Sequence, residues 1–179
     1  VLGYVAGMAA RYDTRLINTN RRFLVYAINE EIIRQAYLEA GRPDAFNPDD
    51  VRFNSTFQFS YTTSVLAMMM RERPGANILY GGFAAESMIL IEQSNLTNAI
   101  TIGATRNTYQ IPFFVAGCDY ALIGEEMYAG SAYLSREPVL MGTVVGQDIA
   151  KIIIFALIIL GFILHQFTAE NPLKAFLEM

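Results

Sequence analysis

The strongest constraint on this chain is a run of thirteen residues, Ile152 to Leu164 (IIIFALIILGFIL), without a polar side chain, followed by His165, Gln166 and Phe167. A helix that is apolar at every angle offers no face to water and has to be covered by lipid or by protein. At about 1.5 Å of rise per residue, Ile152 to Phe167 reaches roughly 24 Å, short of a hydrocarbon core of roughly 30 Å. Lys151 on one side and the His165-Gln166 pair on the other can snorkel, and local thinning or oligomeric packing can absorb the mismatch. The segment is expected to be embedded in a membrane; the alternative is a central helix buried between subunits. Arg136 and Lys151 stand before it and Lys174 after it, a distribution that gives almost no orientation signal; the preceding domain is expected on the cytoplasmic side.

Composition narrows what precedes the run. A chain of 179 residues fits one ordinary domain, and 53% hydrophobic with 17% charged residues excludes disorder. A net charge of -4 lacks the broad positive field that nucleic-acid binding needs, so no nucleic-acid partner is expected. One Cys and one His exclude a disulfide framework and leave neither a zinc ligand set nor a Ser-His-Asp triad. No catalytic residue, metal ligand or cofactor is assigned on this basis, and the balance is against an enzyme. Charge is also uneven: residues 1 to 75 carry nine Arg against eight acids, while residues 76 to 149 carry two Arg against seven acids.

Apolar runs of two kinds alternate along the chain, the pattern of a parallel sheet wrapped by helices. Helices are expected at Val1 to Tyr12, Arg21 to Ala40, Gln58 to Arg73, Ala84 to Gln93 and Leu122 to Leu134. Strands are expected at Thr14 to Asn18, Val51 to Asn54, Asn77 to Tyr80, Ala99 to Gly103 and Ile111 to Ala116. The fold class is therefore α/β, a doubly wound, mostly parallel five-stranded sheet of Rossmann-like type followed by a C-terminal membrane-embedded helix. The expected organisation is an α/β domain over 1–146, a link and apolar helix over 147–167, and a short polar tail over 168–179. Within it, Ser135 to Gly146, with Pro138, Gly142 and Gly146, reads as a linker.

Open α/β sheets bind ligands beyond the carboxyl ends of their strands. On the expected strands that rim holds Gly82 and Glu86, Thr105 and Arg106, then Asp119 and Glu125. Gly81-Gly82 would bring a helix N-terminus close to an anion, although the loop is neither a dinucleotide fingerprint nor a P-loop. Glu86, Asp119, Glu125 and Glu126 together would suit Mg²⁺, Ca²⁺ or acid-base work; helix capping is the bland account of the same residues. Cys118 reads as a buried structural thiol.

Several stretches carry a resemblance: Ala9-Ala10-Arg11-Tyr12-Asp13, Gln58-Phe59-Ser60-Tyr61, Phe83-Ala84-Ala85-Glu86-Ser87 and Gln110-Ile111-Pro112-Phe113-Phe114 through Ala116-Gly117-Cys118-Asp119-Tyr120. They are joined by Leu122-Ile123-Gly124-Glu125-Glu126-Met127-Tyr128-Ala129, Ser131 through Pro138, and Gly146-Gln147-Asp148. Over most of residues 1 to 150 the chain resembles a bacterial family of membrane-anchored proteins known as domain of unknown function 6754 (DUF6754). The resemblance implies membrane attachment and an apolar segment ahead of the domain, in keeping with a sequence that opens at Val1 without an initiator Met. It implies no reaction. The expected partners are the lipid bilayer and further copies of the chain, as a homo-oligomeric scaffold, or a larger membrane complex. The alternatives are a ligand-binding or metal-dependent hydrolytic enzyme at the rim, and an accessory subunit of a transport or energy-converting complex.

Overall fold

A computed structural model describes the backbone of residues 1–167 and the side chains of residues 1–163. The expected polar tail and the side chains of His165 and Gln166 lie outside the described residues. The chain divides into two units, Val1–Ser135 and Arg136–Met179.

The first unit opens with helix α1 (Leu2–Arg11), strand β1 (Asn18–Asn20) and helix α2 (Phe23–Glu39). Two single-turn 3-10 helices, Pro43–Ala45 and Pro48–Asp50, lead into strand β2 (Val51–Phe53) and helix α3 (Gln58–Glu72). Then follow β3 (Ala76–Gly81), α4 (Glu86–Leu96), β4 (Ile100–Thr105), α5 (Ile111–Gly117), β5 (Tyr120–Ile123) and α6 (Glu126–Ser135). Small residues set the first packing contact: Ala6 and Ala10 of α1 are buried beside Ile33, Ala36 and Tyr37 of α2 and Val51 of β2. Without large side chains between them the two helices approach closely, and Leu2, Leu16 and Phe46 close the edges of this cluster.

A second core joins Val65 and Met69 of α3, Leu79 of β3, Leu90 and Ile91 of α4 and Phe114 of α5. These helices therefore share one face of the sheet β3-β4-β5. Its strands are all parallel and in sequence order, with Ile78 beside Ile102 and Ile102 beside Tyr120. Side chains alternate across a strand, so Thr101, Gly103 and Thr105 face the helices while Ile100, Ile102 and Ala104 face the other way. The contacts agree: the Ser94 and Thr101 hydroxyls are hydrogen bonded, and a Cβ on Gly103 would fall 2.3 Å from Phe114.

The mixed α/β class is as expected, but the five-stranded Rossmann-like sheet is not formed. β1 pairs only with β2, in a separate two-stranded parallel sheet. Strand β1 is three residues, Asn-Thr-Asn, whose two asparagines favour turns over strands; beyond its ladder with β2, side chains connect it to α3, as Thr19 does to Tyr61. Ile111 to Ala116, expected as a strand, is helix α5: its Pro112 stands in the first turn, where a proline's missing N–H costs nothing. The fifth strand is instead Tyr120–Ile123, which the sequence reading placed partly inside a helix; four apolar residues are too few for periodicity to decide. With the order β3-β4-β5 there is no reversal of strand order, and so no switch-point crevice in that sheet.

In the second unit, helix α7 (Pro138–Phe167) is a single element of 30 residues, about 45 Å long. It starts on Pro138 and continues through Gly142 and Gly146, where a linker was expected. The stretch Pro138–Ile163 is long and apolar enough to cross a membrane, by length and composition. Asp148 and Lys151, one turn apart, pair at 3.6 Å just before the uninterrupted apolar run.

The tightest point in the sheet core is Gly103, where a Cβ would also meet the Cys118 sulfur at 2.7 Å. Gly103→Ala is expected to destabilise the chain by about 1 to 3 kcal/mol through overpacking. Thermal unfolding checks this, with Gly7→Ala, which meets nothing within 4 Å, as the control.

Candidate functional site

The carboxyl ends of β1 and β3 meet at one buried carboxylate. Glu86, 2% exposed, stands in the first turn of α4, where a negative charge complements the helix dipole. It accepts a hydrogen bond from Arg21 Nη1 at 3.0 Å, one from the Ala84 amide at 3.0 Å, and a short one from Gln58 Nε2. Arg21 directly follows β1 and Gln58 opens α3. One side chain thus ties the end of β1, the start of α3 and the start of α4. A second link lies beside it, where the hydroxyls of Thr19 on β1 and Tyr61 on α3 sit 3.0 Å apart. Burial pushes the Tyr61 phenol above its ordinary range.

The rest of this rim is closed in the same manner. Gly81 ends β3 at φ +142°, a conformation open to glycine but strained for other residues, which lets the chain turn into Gly82 and Phe83. Phe83 then folds inward against Phe114, with ring centroids 5.6 Å apart. Asn107 holds that loop by a short hydrogen bond to the Phe83 carbonyl, and Ser87 Oγ donates to Gln110 Oε1 at 2.7 Å. Thr105 is buried, its hydroxyl accepting from the Asn107 amide at 3.3 Å. Arg106 and Glu125 are exposed.

Of the six rim candidates, Thr105 ends β4, and Gly82, Glu86, Arg106 and Glu125 follow the carboxyl ends of β3, β4 and β5. Asp119 does not. It precedes β5, and its carboxylate accepts the Thr101 amide at 2.7 Å near the start of β4, so it belongs to the amino edge of the sheet. The reason is the exchange of strand for helix at Ile111–Gly117, which turns the Gly117-Cys118-Asp119 corner end for end. Among the described residues no group of three or more His, Cys, Asp and Glu is placed to hold a metal ion.

Arg21 and Gln58, which define the Glu86 site, were not singled out from the sequence. Arg21 had a usable signal, since it directly follows the polar strand end; Gln58 had none, because its partner is 28 residues away. A second charged cluster was also missed. Arg15 reaches buried Asp50 with Nη2 at 2.6 Å and Nε at 3.1 Å from both carboxylate oxygens, and Glu72 with Nη1 at 2.9 Å. It sits beside a cleft of about 340 Å³ at the amino edge of β1 and β2, lined in part by Asp13, Tyr37, Arg42 and Phe46. Arg42 there is paired with Asp13 at 2.9 Å.

The family model for domain of unknown function 6754 matches residues 1–176. This chain belongs to the DUF6754 family. No curated protein and no solved structure matches it. The DUF6754 match extends over both units of the chain.

Two measurements test this part of the DUF6754 chain. Glu86→Ala is expected to cost about 3 kcal/mol, because it leaves Arg21 and Gln58 facing an empty partner. In a double-mutant cycle with Arg21→Ala, the summed single losses should exceed the double-variant loss by about 1 kcal/mol or more; strict additivity would mean the pair contributes nothing. Cys118 is the subject of the other. Burial, and secondarily the Asp119 charge, push its thiol up to about 11. A raised thiol pKa means the reactive thiolate is scarce in the folded chain until the pH approaches that value. Alkylation at pH 8 is therefore expected to run roughly 100-fold slower folded than in urea, a pKa difference of about two units. Equal rates would contradict the burial.

Proposed function

We propose that this chain is a membrane-attached assembly domain: α7 anchors it in the bilayer and the α/β unit packs against further copies of itself. The observation that carries the reading is the uncovered face of sheet β3-β4-β5. Parallel sheets are almost always covered on both faces, because their strands are apolar on both sides. Here α3, α4 and α5 cover one face. On the other, α6 lies over the carboxyl end, with Tyr80 Oη donating to the Met127 carbonyl at 3.0 Å and Gly130 close to Leu122. The row Ile78, Ile102, Tyr120, together with Ile100, is left partly open; Ile100 is 54% and Tyr120 66% exposed. No charged residue interrupts that row. An apolar sheet face of this kind marks an interaction surface.

Membrane attachment is supported by the length and apolarity of Pro138–Ile163, within which the two charges Asp148 and Lys151 are paired at 3.6 Å. The alternative of a ligand-binding or hydrolytic rim has less support. Its one buried carboxylate already accepts three hydrogen bonds, Phe83 fills the loop beside it, and Asp119 lies at the opposite edge.

The deciding measurement is the mass of the full chain extracted natively in mild detergent. A particle of several copies is expected, and Tyr120→Glu should reduce its mass while leaving thermal unfolding within about 0.5 kcal/mol of the parent, as for an exposed site. A monomeric parent chain would defeat the reading. Co-purifying chains of other sequence would point instead to a subunit of a larger membrane complex.

A further inference from the structure

A second apolar surface, unlike the uncharged sheet face, carries a sign. Between α4 and α5 runs a groove of about 510 Å³, lined by Met88, Ile91, Leu96 and Phe113, with Glu92 among its walls. Leu96 is 71% exposed and Glu92 makes no hydrogen bond or ion pair among the described residues. The groove belongs to the acidic half of the sequence.

The basic half presents the complementary feature. At the start of α2, Phe23 is 66% and Leu24 72% exposed, and Phe23 is braced edge-on by Phe53 at 5.9 Å. Arg22 immediately precedes them, exposed and without an ion pair among the described residues. This end of α2 has no acidic residue in its first turn, so the helix dipole adds to the positive charge of Arg22. The result is an aromatic and aliphatic projection flanked by an unpaired cation, opposite in sign to an apolar groove flanked by an unpaired anion.

Resting on the assembly reading above, we infer that the groove of one copy receives the Phe23-Leu24 projection of the next, with Arg22 of the second copy meeting Glu92 of the first. The two surfaces are different patches on one chain, so the contact is heterologous, and each copy offers one projection and one groove. Such a contact closes into a ring or runs on as a filament; a bilayer that orients every copy alike favours closure about an axis along the membrane normal. Apolar filling of the groove supplies the attraction, and the flanking charges set the register and exclude like-to-like docking.

Charge reversal in the full chain, read by native mass in mild detergent, tests this. Glu92→Arg alone and Arg22→Glu alone are each expected to weaken association at least about tenfold, since each sets like charges opposite one another. Both sites are exposed, so thermal unfolding should stay near that of the parent. The double variant should recover the parent mass, because it restores one cation opposite one anion at every junction. A multimeric parent unaffected by either reversal overturns this contact and leaves the assembly reading standing. Dissociation by both reversals without recovery in the double variant also overturns the pairing. A monomeric parent removes both.

Discussion

Everything in the α/β unit depends on how its two small sheets are held together, and a single buried carboxylate is the main connection between them. β1 and β2 form a ladder of three residue pairs and share no ladder with β3, β4 and β5. Parallel ladders this short have little cooperative stability of their own. What replaces the missing ladder is Glu86 with its donors from Arg21, Gln58 and Ala84, and the Thr19–Tyr61 pair beside it. Burying a carboxylate is costly unless its lone pairs are met, and here three donors from three segments meet them. The apolar clusters on either side of this junction can then remain separate: one built on α1, α2 and β2, the other on α3, α4, α5 and β3.

The same arrangement commits several polar groups around Glu86 to internal hydrogen bonds. A ligand-binding rim needs polar groups whose capacity is unspent and a space to receive the ligand. At this rim the acid is spent on Arg21 and Gln58, the Asn107 amide on the Phe83 carbonyl, and Ser87 on Gln110, while Phe83 packs into the core. The opposite edge follows a similar economy, with Asp50 held by Arg15 and Arg52 and with Asp119 accepting the Thr101 amide.

Most elements were legible in the sequence because their signals are local. Gln58 to Arg73 as a helix, Asn77 to Tyr80 as a strand and Ala99 to Gly103 as the next strand all differ from the structure by one or two residues, since periodicity and the flanking Pro74-Gly75 and Gly81-Gly82 suffice. The run Ile111-Pro112-Phe113-Phe114-Val115-Ala116 was misread because β-branched and aromatic residues suit a strand, whereas Pro112 was a helix-start signal. That one exchange displaced Asp119 from the carboxyl rim to the amino edge. That Arg21 and Gln58 both reach Glu86 was hidden for a different reason. Arg21 and Gln58 lie 65 and 28 residues away, and only the packed fold sets such distances. The absence of a joined five-stranded sheet was hidden too, because strand pairing is decided by neighbours in space and not by the polar triplet Asn18-Thr19-Asn20 alone.

A chain that spends its polar groups on internal fastening and leaves apolar surface open is physically unfinished as an isolated molecule. One face of a parallel sheet is half covered, a groove between α4 and α5 is empty of side chains, and the start of α2 exposes Phe23 and Leu24. In dilute solution such surfaces would be a liability, since they drive indiscriminate association. On the proposed reading the bilayer changes that balance. Anchoring by α7 confines copies to two dimensions with a common orientation, which raises their effective concentration and removes most of the wrong docking geometries before any contact is made. Under those conditions modest, sign-marked patches are enough for ordered assembly, and a large specialised interface is not required. The apolar run that most constrains the sequence would then also make the exposed surfaces of the α/β unit tolerable, because it restricts where and how they can meet.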